Sequence, residues 1–207
     1  MEINLAEMAE KNVYALLTQT IIPRPIAWVL TANQPKSDAA SWNLAPFSFF
    51  NGLSSKPPML MFSVGSWDVS GRVKDTLMNL RENPYCTVGI ASSSQAAQVQ
   101  ATAQELPYGS SEISEFNIPT TVWDWPTPRL TENKINFACK FSEEIKVKNS
   151  SQILVLCEIS KIWVDDSAVS KDEKDRLFIS PTVVDPLLRL GAGKYGTLGS
   201  VMDAIKN

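Results

Sequence analysis

The sequence predicts a mainly β chain, β-rich with helices inserted between strands, folded as one antiparallel barrel. Short β-branched, aromatic and apolar runs recur between residues 26 and 164, punctuated by Gly, Pro, Asn and Asp. The helical segments fall between them irregularly, without the βαβ alternation of a Rossmann sheet. The 207 residues, 44% of them hydrophobic, are enough for one sizeable core, and a single domain of this length is common among all-β barrels. One domain over residues 1–207 is therefore expected.

Taken in order, residues 7–18 predict a short helix that packs on the barrel, with Tyr14, Leu16 and Leu17 apolar and Ile21-Ile22-Pro23 ending it. Pro23-Arg24-Pro25 is extended punctuation, since a residue before proline is pushed out of the helical region. Residues 26–31 predict a strand, and 32–41 a turn holding Asn33, Pro35 and Asp38. The turn returns the chain antiparallel into Asn43-Leu44-Ala45-Pro46-Phe47-Ser48-Phe49-Phe50, where Pro46 is expected to break any ladder. Residues 51–58 read as a loop, 59–65 as a buried strand ending at Gly65, and 67–72 as a turn. A helix follows, capped by Asp75 or Thr76, with Leu77 and Leu80 at helical spacing and Asn83-Pro84 as its stop.

Residues 85–91 predict a strand, 92–104 an Ala- and Gln-rich helix with a Ser cap, and 111–116 a further short helix. Residues 119–131 carry Trp123, Trp125, Pro126 and Pro128 and cannot be a central strand. They read equally as a lid or interface and as a packed Ω-loop. Residues 134–148 and 153–164 predict two long strands, joined at Asn149-Ser150-Ser151 into a hairpin. Residues 165–176 read as a charged, exposed linker, and 183–190 are apolar, leading to Gly191-Ala192-Gly193-Lys194-Tyr195-Gly196.

Composition excludes several functions. The net charge is −3 and the basic residues are dispersed, which argues against sequence-independent nucleic-acid binding. No run of about 18 apolar residues is present to span a membrane. The start, Met1-Glu2-Ile3-Asn4-Leu5, lacks the basic and apolar regions of a secretion signal. Cys86, Cys139 and Cys157 are odd in number, widely spaced and set in strand-like sequence. They read as small buried hydrophobes rather than disulfides or zinc ligands, and a cytoplasmic setting is expected. The chain has no histidine, which excludes a Ser-His-Asp triad, a His-ligated haem and most catalytic metal sites. Redox or group-transfer chemistry would then come from an organic cofactor.

Three segments carry candidate chemistry. Residues 43–50 combine Asn43 and Ser48 with small and aromatic neighbours, so a flat ligand can approach the backbone. Backbone donors and acceptors around Ala45 and Phe47 suit the pyrimidine edge of a flavin, where donors stabilise the reduced anion. The plainer reading is a bulged edge strand packing Phe47, Phe49 and Phe50 into the core. Lys74-Asp75-Thr76 opens a helix, where free amides, the dipole, a lysine and a hydroxyl suit an anion; an ordinary capped helix needs the same residues. Arg24, between two prolines, is either a solvated arginine or a fixed cation near a ligand. Arg189-Leu190-Gly191-Ala192-Gly193-Lys194-Tyr195 could close over a ligand, but lacks the GxGxxG spacing of a dinucleotide fingerprint.

The order of these pieces resembles the flavin reductase-like, FMN-binding split-barrel family. It is carried by Pro23-Arg24-Pro25-Ile26-Ala27-Trp28-Val29, Asn43 to Phe50, Pro57-Pro58, and Lys74-Asp75-Thr76 with Asn79. Looser matches are Pro107-Tyr108-Gly109 with Ser114-Glu115-Phe116, Phe137-Ala138-Cys139-Lys140, and Arg189-Leu190-Gly191 with Tyr195. The resemblance implies an antiparallel split β-barrel of FMN-binding type, working as a homodimer. It implies flavin contacts at Asn43, Leu44, Ala45, Pro46, Phe47 and Ser48, with Ser63 and Gly65 as neighbours. Lys74 and Thr76 become phosphate ligands supported by Asp75, and Arg24 a further contact. Arg189, Lys194, Tyr195, Trp123 and Trp125 fall on the substrate side.

The resemblance further implies an oxidoreductase in which NAD(P)H reduces the flavin and a small-molecule or flavin acceptor is reduced in turn. The alternative is an FMN carrier or electron-transfer protein without its own NAD(P)H activity. Ala192 replaces a glycine usual in the Arg-Leu-Gly-Gly run, and the Trp123/Trp125 region does not match the family pattern.

Overall fold

The computed structural model describes residues 1–33, 41–65 and 73–203. Helix α1 (Glu10–Thr20) precedes strands β1 (Ala27–Ala32), β2 (Trp42–Phe47), β3 (Phe50–Ser55) and β4 (Pro58–Gly65) and helix α2 (Asp75–Glu82). Strand β5 (Tyr85–Ile90), helices α3 (Ala96–Ala101) and α4 (Glu112–Glu115), and the short pair β6 (Thr120–Thr121) and β7 (Arg129–Leu130) follow. The long strands β8 (Ile135–Lys146) and β9 (Gln152–Val164) form the expected hairpin. Then come β10 (Val169–Lys171), β11 (Leu177–Ile179), α5 (Pro181–Val184), β12 (Leu188–Gly191) and β13 (Lys194–Gly196).

Seven strands pair antiparallel in the order β2-β1-β5-β8-β9-β4-β3, the antiparallel split barrel that the sequence predicts. The two ends of that order, β2 and β3, are neighbours in sequence. The chain passes from one free edge to the other at Ser48-Phe49, where the Phe49 carbonyl accepts from the Ser63 amide at 2.9 Å. The barrel is therefore closed there by a corner of chain and not by a ladder. Backbone groups left over at that split are available to a ligand.

Strand β1 is buried on both faces, and its alternation divides the core in two. Ala27 and Val29 face the barrel interior with Phe47, Leu60, Phe62, Val64 and Val88. Leu77 and Leu80 of α2 plug the same cluster, so the apolar face of that helix fixes where its N-terminus lies. Trp28 and Leu30 face outward into a second cluster with Leu44, Val99, Ile118 and Leu130, which covers that face from water. Cys86, Cys139 and Cys157 are free thiols buried in the interior cluster, as small hydrophobes.

Several sequence expectations are corrected. Residues 50–55 form strand β3, not a loop. The strand is an exposed edge of polar sequence, so no apolar alternation marks it. Pro46 stays in the ladder opposite Trp28. It can do so because β2 is an edge strand and the missing donor faces outward. Lys74, not Asp75 or Thr76, sits at the N-cap of α2, without a side-chain capping bond. Ser92 does cap its segment, through a capping box with Gln95, but a 3-10 turn precedes α3 and the helix ends at Ala101. The charged 165–176 segment is partly a small hairpin of β10 and β11. The predicted turns at 32–41 and 67–72 lie largely or wholly outside the described residues.

At the β12–β13 turn, Ala192 is exposed and left-handed, with φ 48°. An L-residue there costs about 1–2 kcal/mol, which glycine avoids at the expense of unfolded-state entropy. Ala192→Gly is expected to raise stability by about 0.5–1 kcal/mol, seen as a higher urea midpoint with an unchanged m-value.

Candidate functional site

The free edge of β2 is where local sequence and fold meet. In an antiparallel pair, alternate residues turn their backbone groups away from the partner strand. On β2 the outward groups belong to Trp42, Leu44 and Pro46, and helix α4 covers only the first two. The Trp42 carbonyl accepts from Ser111 Oγ at 2.8 Å, and the Leu44 amide donates to Glu112 Oε2 at 2.9 Å. Beyond that cover, from Pro46 to Phe49, the edge borders three adjoining hollows.

The first hollow, about 50 Å³, lies against the N-terminus of α2 and is lined by Asn43, Ala45, Pro46, Lys74, Asp75 and Thr76, with Glu112 and residues 102–104. The second, about 270 Å³, lies at the split and is lined by Pro46, Phe47, Ser48, Phe49, Ser63 and Gly65, with Tyr14, Lys74 and Gln152. The third, about 180 Å³, lies under the β12–β13 hairpin and includes Arg189 and Tyr195. Pro46 borders all three, and Lys74 joins the first two.

A buried polar network fixes the relation of β2 to α2. Asn43 Nδ2 donates to Thr76 Oγ1 at 3.0 Å and to Thr31 Oγ1 at 3.4 Å. Asn79 Nδ2 donates to the same Thr31 oxygen at 3.1 Å and to Asn33 Oδ1 at 3.1 Å. All five residues are buried. Thr76 Oγ1 thus accepts a bond that orients the helix against the strand. The Leu77 amide donates to the Lys74 carbonyl at 3.0 Å, and the first two amides of a helix point beyond its N-terminus, here beside Lys74.

Lys74 Nζ lies 5.7 Å from the Phe47 ring centroid. Burial lowers its pKa, and the Glu105 charge works in the opposite direction. A desolvated cation of this kind gains from an anionic partner. Ser63 Oγ donates to Gln152 Oε1 at 2.8 Å, which orients the wall of the second hollow opposite Pro46.

Glu112 has its pKa raised from 4.5, first by burial, with the Leu44 amide lowering it and Asp75 raising it again. A carboxyl whose folded pKa is raised stabilises the fold at low pH, and that contribution is lost as pH rises through the raised pKa. Glu112→Gln keeps an acceptor for Leu44 and removes the titration. Its unfolding free energy is expected to fall less steeply than wild type from about pH 4.5 upward, measured by urea denaturation at several pH values; parallel curves would contradict this.

The remaining predicted residues separate. Arg24 is buried and lies outside the lining of these hollows. Its Nη1 donates to the carbonyls of Thr18 and, at 2.7 Å, Ile21, tying down the end of α1. Leu44 buries its side chain in the outer cluster. Lys194 is exposed at the start of β13. Trp123 and Trp125 pack away from the hollows: Trp123 Nε1 donates to the Thr127 carbonyl at 2.7 Å, and Trp125 Nε1 to the Cys86 carbonyl at 3.1 Å. Sequence reasoning missed Thr31, Glu112, Gln152, Tyr14 and Gln100. Only Thr31 left a signal, a polar residue at the end of an apolar strand.

Residues 19–194 match the flavin reductase like domain. The chain belongs to that family. A curated relative of this flavin reductase-like chain, the uncharacterized protein YwrF of Bacillus subtilis, is 30% identical over 205 residues, covering 97% of this chain and 96% of that one. Among solved structures, nitrilotriacetate monooxygenase component B from Bacillus cereus superposes with a TM-score of 0.85 at 29% identity, covering 99% and 98% of the two chains. The 2-nitrobenzoate 2-nitroreductase NbaA of Pseudomonas fluorescens shares the fold, with a TM-score of 0.84 at 24% identity over 100% and 96% of the chains. The split barrel of the present chain is thus the flavin reductase-like one, and its open β2 edge lies within the matched region.

Proposed function

We propose that the chain is an FMN-dependent oxidoreductase of the flavin reductase type, a single domain over residues 1–207 that works as a cytoplasmic homodimer. The observation that carries this reading is the junction of the open β2 edge with the α2 N-terminus, locked by the Asn43–Thr76 bond. A small polar hollow for a phosphate then adjoins a larger one for a flat ring, with Lys74 between them.

The residues present fit FMN. Lys74, Thr76 and the first-turn amides of α2 would hold the phosphate, with Asp75 in support. Ala45, Pro46, Phe47 and Ser48 would hold the ring edge, with Ser63 and Gly65 opposite. Bound FMN would supply the hydride chemistry, accepting from NAD(P)H and passing electrons to a small-molecule or flavin acceptor. The protein's part is to orient the ring, exclude water with Phe47 and Phe49, and place donors at the pyrimidine edge.

A visible spectrum of the purified, FMN-supplemented protein is expected to show retained flavin bands, and anaerobic NADH or NADPH should bleach them. Retained flavin without bleaching would favour an FMN carrier; no retained flavin would overturn the cofactor assignment.

The homodimer is supported by apolar side chains left exposed around α1 and β3. Tyr14, Ile21, Ile22 and Leu53 are each 45–57% exposed. Light scattering is expected to give twice the 22.9 kDa chain mass, and a monomer that still binds FMN tightly would contradict this part.

No described helix is long and apolar enough to cross a membrane, and no described cluster of acidic or thiol groups could hold a metal.

A further inference from the structure

Two carboxyl groups line the small hollow at the N-terminus of α2, those of Asp75 and Glu112, alongside Lys74 and Thr76. Two carboxylates and a phosphate in one hollow of about 50 Å³ repel one another unless a proton is shared among them. Glu112 is the carboxyl placed to carry it. The residue is only 7% exposed, whereas Asp75 is half-buried. Its position is fixed from both sides: Oε2 accepts from the Leu44 amide at 2.9 Å, and the preceding Ser111 ties α4 to the Trp42 carbonyl at 2.8 Å.

The charges around it agree with that placement. Strand β2 carries no titratable side chain, the start of α2 carries Lys74 and Asp75, and residues 102–110 beside the hollow carry Glu105 and Tyr108. Glu115 lies on the same helix as Glu112. Burial and the like charge of Asp75 favour the neutral acid at Glu112, against the Leu44 amide, which favours the carboxylate.

We propose that Glu112 is a phosphate-binding residue in its protonated form, so that a phosphate monoester enters this hollow together with one proton drawn from solvent. A carboxylic acid keeps an oxygen to accept from the Leu44 amide and gains a hydroxyl that donates. The residue that straps β2 thereby changes from a repelling charge into a donor towards the ligand. FMN as the carrier of that phosphate rests on the proposed function; proton-coupled binding of a phosphate does not.

Glu112→Gln tests this, because glutamine offers an acceptor and a donor and is uncharged at every pH. FMN and riboflavin are titrated into flavin-free wild type and variant between about pH 5 and 8, where a raised carboxyl and a phosphate both change charge. At the acid end the two proteins are expected to bind FMN alike. As pH rises, wild type should lose affinity relative to the variant, by up to roughly tenfold per pH unit, the limit for one linked proton. Taking the ratio of the two proteins cancels the titration of the phosphate itself and of Lys74. Riboflavin, without a phosphate, should show no such divergence. Parallel FMN curves would overturn the proposal, and so would a variant weaker than wild type throughout, which would leave Glu112 only a strap on β2.

Carbon-13 NMR of carboxyl-labelled glutamate in wild type needs no variant. Among the described residues Glu112 is the one buried glutamate. Its titration midpoint should move upward on saturation with FMN and not with riboflavin; unmoved glutamate midpoints would overturn the proposal. Should FMN not bind, inorganic phosphate is the probe. Phosphate binding whose pH dependence differs between wild type and Glu112→Gln would then support the Glu112 site and remove the flavin reading, and absent or parallel phosphate binding would overturn both. FMN binding with parallel curves would keep the flavin reading and remove the role of Glu112.

Discussion

Replacing Lys74 with alanine is expected to weaken FMN binding by about 1–3 kcal/mol, roughly fivefold to 150-fold, as for a lost charge-assisted hydrogen bond. Lys74 lines both the small hollow at the α2 N-terminus and the larger one at the split. Burial already works against its charge, and an incoming phosphate would relieve that cost. The helix dipole would remain in Lys74→Ala, so binding should be weakened and not abolished. The loss should be larger for FMN than for riboflavin, because only FMN carries the phosphate. Unchanged FMN affinity, by fluorescence titration, would remove Lys74 from the phosphate site.

The second large effect is structural. Gly191 has φ +80°, and a Cβ built there would meet the Thr18 carbonyl oxygen at 2.4 Å and its carbon at 2.7 Å. The same carbonyl accepts from Arg24, whose backbone pairs with Arg189 two residues earlier in β12. Gly191→Ala therefore combines a left-handed backbone with a clash at the point where α1, Arg24 and β12 meet. A destabilisation of about 3 kcal/mol is expected, a fall in melting temperature of roughly 6–12 °C for a chain of this size. A melting temperature within about 1 °C of wild type would show that the Gly191 contact carries little stability.

The fold was legible where burial wrote a pattern. The strands around residues 26–31, 59–65 and 85–91 are apolar because both faces or one face lie in the core, and the β8–β9 hairpin is long and β-branched around a polar turn. Strand β3 was not legible: it is paired on one side by backbone alone and exposed throughout most of its length. Pro46 was misread for a related reason. Whether proline interrupts a strand depends on which way its nitrogen faces, and that is set by the edge position of β2.

Within the site, Lys74, Thr76 and Asn43 stood out by residue type, but not their connection. Asn43 reaches Thr76 across 33 residues of chain, and Glu112 reaches Leu44 across 68. Such bonds come from the way α2 and α4 dock on β2, which no local spacing encodes. Arg24 was read either as a solvated arginine or as a fixed cation near a ligand; it is not solvated but buried, and its Nη1 donates to the carbonyls of Thr18 and Ile21.

The central claim is that the β2 edge and the α2 N-terminus together hold FMN. It is tested most directly by titrating FMN and riboflavin into flavin-free protein and following flavin fluorescence. Saturable binding of FMN with one site per chain, clearly tighter than riboflavin, is the predicted result. No saturable FMN binding, or equal affinity for the two flavins, would contradict it.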